Sequence, residues 1–132
     1  MKRLALAVLA ATIACSTAAN AACNQTDLTG IWQIYSTAWD NSGAWWSRCQ
    51  VKINAGGTMS NGQCANSLGQ SGPMTNGSAT IVAAAACTFR AQFRLGGDLN
   101  RVVHATLSRD KTTGSGVGTF PGGKFNFTMS KR

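Results

Sequence analysis

Residues 87–107 read CTFRAQFRLGGDLNRVVHATL, two alternating segments on either side of a glycine pair. In the first segment one predicted face is formed by Cys87, Phe89, Ala91, Phe93 and Leu95. In the second segment one predicted face is formed by Leu99, Arg101, Val103, Ala105 and Leu107. Alternation of this kind is typical of half-buried strands. Gly96-Gly97 predicts a two-residue hairpin turn between them, because glycine reaches positive φ without steric cost.

The same arrangement recurs along the chain. Gly56-Gly57 and Gly122-Gly123 also lie between segments with strand character, and Asn41-Ser42-Gly43 is a further turn signal. The sequence therefore predicts an all-β fold, an antiparallel up-and-down meander that closes into a small barrel of seven or eight strands. A two-sheet β-sandwich is the alternative. Residues 65–77 are rich in glycine and carry Pro73, and they are interpreted as the longest loop.

Residues 1–21 have the features of a signal peptide, and residues 22–132 form a single disulfide-stapled β-barrel domain in this interpretation. Lys2 and Arg3 precede a short apolar run, and Ala19-Asn20-Ala21 matches the small-residue cleavage pattern. We expect an exported protein, periplasmic or extracellular, with no transmembrane segment in the mature chain. Lipid attachment through Cys15 is the alternative.

Four cysteines follow the predicted cleavage site, and an even number in a short exported chain predicts two disulfides. Cys49 and Cys64 are equidistant from the Gly56-Gly57 turn, so a hairpin there places them opposite one another. This symmetry favours Cys49–Cys64 with Cys23–Cys87, although three connectivities are possible. No close cysteine pair and a single histidine argue against a metal site.

The charge of the mature chain is strongly positive. After removal of Lys2 and Arg3, ten basic residues and four aspartates give a net charge of +6. Such a charge favours anionic partners such as acidic polysaccharide, lipopolysaccharide or a membrane surface. No motif predicts specific nucleic-acid recognition.

Thr29-Gly30-Ile31-Trp32 opens the first predicted strand and resembles the Gly-x-Trp motif of the calycin group, which includes lipocalins and avidins. In those barrels the tryptophan closes one end and the glycine allows close packing there. The resemblance implies a small barrel with a general binding role. It does not imply biotin, because the avidin series of ligand-contacting tryptophans has no match.

The reactive groups do not predict an enzyme. Three of the four mature aspartates lie in or beside turn signals, and His104 is a lone imidazole on a strand without a nucleophile and an orienting acid nearby. No phosphate-cradling or dinucleotide glycine motif is present, so no cofactor is expected. We interpret the chain as non-enzymatic.

The first functional hypothesis is a barrel that holds a small apolar or aromatic ligand. The predicted ligand-binding residues are Trp39, Trp45, Trp46, Phe89 and Phe93, with Val103, Phe125 and Phe127 also expected inside. Trp45 and Trp46 are adjacent, so an extended backbone directs one inward and the other outward. An exposed tryptophan near the rim would be a binding anchor.

The second hypothesis is a surface interaction module that binds an anionic envelope or extracellular polymer. Its predicted basic face consists of Arg90, Arg94, Arg101 and His104, on the two predicted strands either side of Gly96-Gly97. Gln92 and Asn100 are expected to lie beside these residues. The alternative for this face is an ordinary solvated barrel exterior.

Overall fold

The computed structural model describes residues 22–132; the predicted signal peptide and Cys15 lie outside the described residues. A 3₁₀ helix, Gln25–Leu28, precedes eight antiparallel strands: β1 Gly30–Asp40, β2 Gly43–Ile53, β3 Met59–Asn66, β4 Ser71–Ala83, β5 Thr88–Leu95, β6 Asp98–Leu107, β7 Thr113–Phe120 and β8 Gly123–Lys131. Each strand pairs with the next, and β8 pairs with β1. The predicted up-and-down barrel is confirmed with eight strands, and closure through β1 and β8 rules out the sandwich.

The glycine-pair turns differ in detail from one another. Leu95 lies opposite Asp98, and Gly96 and Gly97 have φ values of 60° and 91°, as a two-residue hairpin turn requires. The β7–β8 turn is Pro121-Gly122 rather than Gly122-Gly123, because Phe120 pairs with Gly123. Between β2 and β3 the connection is a longer loop, residues 54–58.

The interpretation of residues 65–77 as a long loop is wrong. Only residues 67–70 connect β3 to β4, and β4 begins at Ser71. Pro73 pairs with Gln63 of β3, but the pairing of β4 with β5 begins one residue later, at Met74 opposite Leu95. Proline is tolerated there because only one side of the strand is paired at that position. Asn76, with φ of 49°, lies in a β-bulge where the β4–β5 register shifts between Thr75 and Ser78.

A second bulge overturns the predicted alternation of β6. The register shifts between Val102 and His104, so Val103 is an extra residue. Ala105 and Leu107 point inward as predicted, but at the start of the strand Asn100 and Val102 are the buried residues. Val103 is exposed and does not line the interior, and Asn100 does not lie on the outer face.

Both predicted disulfides are present. Cys49 on β2 and Cys64 on β3 are direct cross-strand partners. Cys23–Cys87 joins the segment before the 3₁₀ helix to the residue before β5. The two bridges therefore tie different parts of the molecule, one within the barrel wall and one between the wall and the N-terminal segment.

The two ends of the barrel are different. The 3₁₀ helix lies at one end, with the connections 54–58, 84–87 and 108–112, and this is called the closed end. The four short connections 41–42, 67–70, 96–97 and 121–122 surround the other, called the open end. Among residues 22–132 there is no helix long and apolar enough to cross a membrane.

Candidate functional site

The closed end is sealed by Trp32 and the residues that hold it. The Trp32 side chain is fully buried, and its Nε1 donates a hydrogen bond to the Leu28 carbonyl at 2.7 Å. The Lys131 ammonium lies 5.0 Å from the centre of the Trp32 ring and donates to the Asp27 carbonyl at 2.9 Å. A cation over an indole face is attracted to it. The last strand and the 3₁₀ helix therefore clamp the same tryptophan.

A cavity of about 620 Å³ occupies the rest of the barrel and reaches the open end. Its lining includes open-end residues such as Asp40, Leu68 and Pro121, and deeper residues such as Val51 and Met129. An eight-stranded barrel can either fill itself with side chains or hold one small ligand. Its volume lies within the usual range for ligand pockets, roughly 300–1,000 Å³, so side chains do not fill this barrel.

Aromatic rings form one side of the cavity. Phe125 lies with its ring centre 6.4 Å from that of Phe93 and 6.3 Å from that of Phe127, and Phe127 is 6.5 Å from Phe89. Nearer the open end, the ring centres of Trp45 and Phe120 are 5.7 Å apart. All these pairs are tilted or edge-on, the arrangements that the ring quadrupoles favour. The resulting surface is apolar and suits an aromatic or aliphatic ligand.

Glycines on the inward face of β7 make room for these rings. Gly114, Gly116 and Gly118 alternate along the strand, and a Cβ atom on Gly118 would overlap the Phe125 ring. Because β7 contributes no side chain at these three positions, the phenylalanines of β8 can lean toward it. The width of the cavity therefore depends on the glycine spacing of a neighbouring strand.

Polar groups lie at the open end of this apolar cavity. Asn100, 9% exposed, is the one buried polar residue among residues 22–132; it lines the cavity and its Nδ2 donates to the Asp98 carbonyl at 3.0 Å. Asp40 also lines the cavity, and hydrogen bonds from the Ser42 hydroxyl and backbone N–H lower the pKa of its carboxyl. The mouth thus combines an ionised carboxylate with an amide.

The predicted ligand-binding residues divide between the inside and the outside. Trp45, Phe89 and Phe93 line the cavity. Trp39 and Trp46 point outward from β1 and β2 and are 41% and 59% exposed. The expectation that adjacent Trp45 and Trp46 take opposite faces is confirmed, and the structure brings only three of the five predicted residues together.

The predicted basic face belongs to β5 and β6 and is called the β5–β6 basic face; it lies entirely on the exterior. Arg90, Arg94, Arg101 and His104 are all exposed, and Arg101 is directly opposite Gln92. The Arg94 guanidinium donates to the Gly97 carbonyl at 2.7 Å, which ties its side chain to the hairpin turn. These side chains are separate from the cavity, so the two hypotheses concern different surfaces. Residues 22–132 contain no group of three metal-ligating side chains.

Comparison with known proteins finds a designed barrel among the solved structures. No protein-family model and no curated protein matches the chain. A solved structure described as the de novo design of a fluorescence-activating β-barrel aligns with a TM-score of 0.58 and 12% sequence identity, over 79% of this chain and 93% of that chain. At this identity the likeness shows the fold alone. The chain is thus a small closed antiparallel barrel.

Sequence reasoning missed several residues of the cavity. Strict alternation predicts Asn100 on the exterior, but the bulge at Val103 directs it inward. Ser36, Ser47 and Met74 line the cavity but carry no signal of their own. The inward alternation of Trp45 with Ser47 and Cys49 along β2 could have identified Ser47.

Proposed function

We propose that the protein is a non-enzymatic binding protein that holds a small apolar or aromatic ligand in the barrel cavity. The observation that carries this proposal is the cavity of about 620 Å³, open at one end and lined mainly by aromatic and aliphatic side chains. Such a cavity leaves apolar surface that a ligand would bury. The closed end blocks passage through the barrel, so ligand would enter and leave between the four short open-end connections.

The closed end supports a calycin-type barrel as the finer structural assignment. Trp32 of the Gly30-x-Trp32 motif is buried at that end, as the resemblance implies. Gly30, with φ of 140°, allows close packing there, since a Cβ atom would approach the Lys131 side chain to 3.3 Å.

The mouth of the cavity restricts the chemistry of the ligand. Asn100 offers an amide oxygen that accepts hydrogen bonds, and Asp40 offers an ionised carboxylate. The four aromatic side chains deeper in the cavity offer no charge. An apolar or aromatic ligand with a hydrogen-bond donor at one end satisfies both regions, whereas an anionic group would meet the Asp40 carboxylate.

The test uses N-phenyl-1-naphthylamine, a neutral aromatic dye that carries one N–H donor and brightens in apolar surroundings. The designed barrel described as fluorescence-activating prompts this fluorescent readout. Mature protein with both disulfides should raise the dye's emission in a saturable way. Ala91→Phe should weaken dye binding and Ala91→Trp should weaken it more, because Ala91 lines the cavity and a larger side chain there occupies more of its volume.

The matched control is Gln92→Trp, since Gln92 is the next residue of β5 and is exposed on the outer face. It should bind the dye as wild type does. Circular dichroism and thermal unfolding confirm that each variant folds. Equal dye binding by wild type, Ala91→Trp and Gln92→Trp would place the dye outside the barrel and refute the cavity as its site.

The β5–β6 basic face supports a second function, binding of an anionic envelope or extracellular polymer. All four side chains are exposed, and none of the four described aspartates lies on the outward face of a strand. Heparin retention of the wild type should weaken with added salt. The double variant Arg90→Ser/Arg94→Ser should elute from heparin at lower salt than the control Arg109→Ser/Arg132→Ser. The control removes the same charge, but at the closed end of the barrel. Equal elution of the two variants would count against this face.

We propose export to the periplasm or the extracellular space. Support comes from the two disulfides, which persist in oxidising compartments, and from the leader-like sequence of residues 1–21. Intact mass of protein secreted by the expressing cell tests the proposal. A chain that begins at Ala22 agrees with it, and a chain that begins at a lipidated Cys15 contradicts the cleavage site.

A further inference from the structure

A groove of about 620 Å³ runs across the outer face of four strands, β2, β1, β8 and β7. Trp46 lies opposite Thr37, Thr37 opposite Asn126, and Asn126 opposite Val117, so these four residues form one row around the barrel. Tyr35 lies beside the row on β1. Trp46 and Val117, 59% and 46% exposed, lie at the two ends of this row, and Tyr35 is 53% exposed. We call it the outer groove.

The floor of the outer groove is polar. Thr37, Ser115, Asn126 and Thr128 are exposed there, and none of their side chains forms a hydrogen bond to another residue within 22–132. The Tyr35 hydroxyl likewise has no partner within that range. These groups offer hydroxyl and amide donors and acceptors beside the two aromatic side chains.

Trp46 is held in place by its backbone. Its carbonyl accepts a hydrogen bond from Ser67 N–H at 2.9 Å, and its N–H donates to the Ser67 hydroxyl at 3.2 Å. Ser67 belongs to the connection between β3 and β4, so the strand that carries Trp46 is supported from both sides. An anchored backbone lowers the ordering cost that a ligand would meet at this side chain.

The charge around the outer groove is positive. Arg48 carries a positive charge opposite Tyr35 at the β2 side, and His104 offers imidazole hydrogen-bonding nitrogens opposite Val117 at the β6 side. The four described aspartates are all elsewhere: Asp27 in the 3₁₀ helix, Asp110 in the 108–112 connection, and Asp40 and Asp98 at the open end. The outer wall formed by residues 22–132 is therefore cationic and complementary to an anion.

We propose that the outer groove binds an acidic oligosaccharide. The apolar face of a sugar ring would stack on Trp46 and Tyr35, and its hydroxyls would bond to Thr37, Asn126 and their neighbours on the floor. Its carboxylate or sulfate groups would lie toward Arg48 and His104. A second copy of this chain fits less well, because two walls that carry only positive charge repel one another.

The outer groove is independent of the cavity and extends the second function. His104 belongs both to the edge of the groove and to the β5–β6 basic face. A long acidic polymer that fills the groove would therefore continue onto Arg90 and its neighbours. The groove supplies sugar recognition, whereas the basic face supplies charge alone, and this difference allows separate tests.

The experiment measures calorimetric binding at low salt to hexasaccharides of galacturonate, mannuronate and heparin, with polyphosphate as an anion without sugar rings. Wild type should bind at least one hexasaccharide. Trp46→Ala should weaken that binding about tenfold or more, as truncation of an aromatic anchor typically does. Tyr35→Ala should act in the same direction, and Trp46→Ala should leave polyphosphate binding unchanged.

The matched control is Trp39→Ala, because Trp39 is also exposed on β1 but does not line the groove. Its sugar affinity should stay within about twofold of wild type, as for surface substitutions away from a contact. Binding of none of the three hexasaccharides, or equal affinity of wild type and Trp46→Ala for them, overturns the proposal. An equal loss of sugar and polyphosphate binding in Trp46→Ala also overturns it.

Two further outcomes separate this proposal from others. If Arg90→Ser with Arg94→Ser weakens polyphosphate binding while Trp46→Ala changes no sugar affinity, the basic face stands and the groove fails. If Trp46→Ala weakens sugar binding while the arginine variant binds polyphosphate as wild type does, the groove stands and the basic face fails. A dimer in sedimentation that Trp46→Ala dissolves, without sugar binding, would overturn the proposal in favour of a second copy.

Discussion

Substitution of Gly118 by alanine should destabilise the barrel although it adds one methyl group. Gly118 is buried on β7, and its φ is outside the left-handed region, so alanine meets no backbone penalty there. The added Cβ would overlap the Phe125 ring and lie 2.5 Å from the Arg101 carbonyl oxygen. The ring can rotate away, but the carbonyl belongs to the paired strand β6 and cannot.

The magnitude follows from the packing. Overpacking of a well-filled site typically costs about 1–3 kcal/mol. For a domain of about 110 residues, a loss of 1 kcal/mol lowers the unfolding temperature by about 4 °C, so the expected drop is about 4–12 °C. Displacement of the Phe125 ring would also change the cavity, so dye affinity should change with stability.

Urea unfolding of oxidised protein, followed by circular dichroism, measures the free energy. The matched control is Gly72→Ala, because no atom lies within 4 Å of a Cβ at Gly72. That variant should be unchanged or more stable by about 0.4–1 kcal/mol, since alanine restricts the unfolded chain. Phe125→Leu combined with Gly118→Ala should recover only part of the loss, because the carbonyl contact persists. Equal stability of Gly118→Ala and wild type would refute the packing argument.

Three further predictions concern stability. Removal of the Cys23–Cys87 disulfide, which spans 64 residues, should lower the unfolding free energy by about 4 kcal/mol, and removal of Cys49–Cys64, which spans 15, by about 3 kcal/mol. Urea unfolding of the two double-alanine variants measures both losses. A larger loss for Cys49–Cys64 would contradict the dependence on loop length. Hydrogen bonds from Ser108 and Thr112 lower the pKa of Asp110 to about 2. The pKa of Asp27 is also lowered, because its carboxylate accepts a hydrogen bond from the Asn24 N–H and lies 3.0 Å from the Lys111 ammonium. Because both folded-state pKa values lie below the unfolded value of 3.8, their stabilisation is present above about pH 4 and is lost as the pH falls toward 2; Asp110→Asn should flatten that acid dependence, and an unaltered slope would exclude Asp110 as a source. Lys131→Met should lower the unfolding free energy by about 1 kcal/mol, because it removes the cation over the Trp32 ring. The control Lys124→Met, on the outer wall, should change it by less than about 0.5 kcal/mol. Equal effects of the two substitutions would contradict a stabilising contact between Lys131 and Trp32.

The sequence predicted the parts of the fold that depend on local chemistry. Alternation in residues 87–95 identified Phe89 and Phe93 as interior residues, and Gly96-Gly97 identified the hairpin turn. The symmetry of Cys49 and Cys64 about Gly56-Gly57 gave the correct disulfide. In each case the deciding residues lie within one hairpin, although Cys49 lies opposite Cys64 only because a bulge between Gln50 and Lys52 compensates for the longer connection at residues 54–58.

The failures come from bulges and from pairing between distant segments. Val102 and Val103 are chemically alike, so no local signal marks Val103 as the extra residue of β6 that directs Asn100 inward. Asn76-Gly77 has the composition of a turn, but pairing of β4 with both neighbours makes it a bulge.

The cavity and the outer groove show the same limit on a larger scale. Aromatic residues predicted an apolar interior, but whether it is filled or hollow depends on all eight strands together. The outer groove needs β1 to pair with β8, whose residues lie about 90 positions apart, and no motif records that Thr37 faces Asn126. Trp46 was predicted as a binding residue, but the polar floor beside it was not.

The most direct test of the central claim is a crystal structure of the mature protein with 1-bromonaphthalene, located by the anomalous scattering of bromine. The proposed ligand-binding barrel predicts a bromine peak inside the cavity, in contact with Phe93 and Phe125 and next to Ala91. Bromine peaks only on the outer wall, or an interior closed by rearranged side chains, would contradict a ligand-holding barrel.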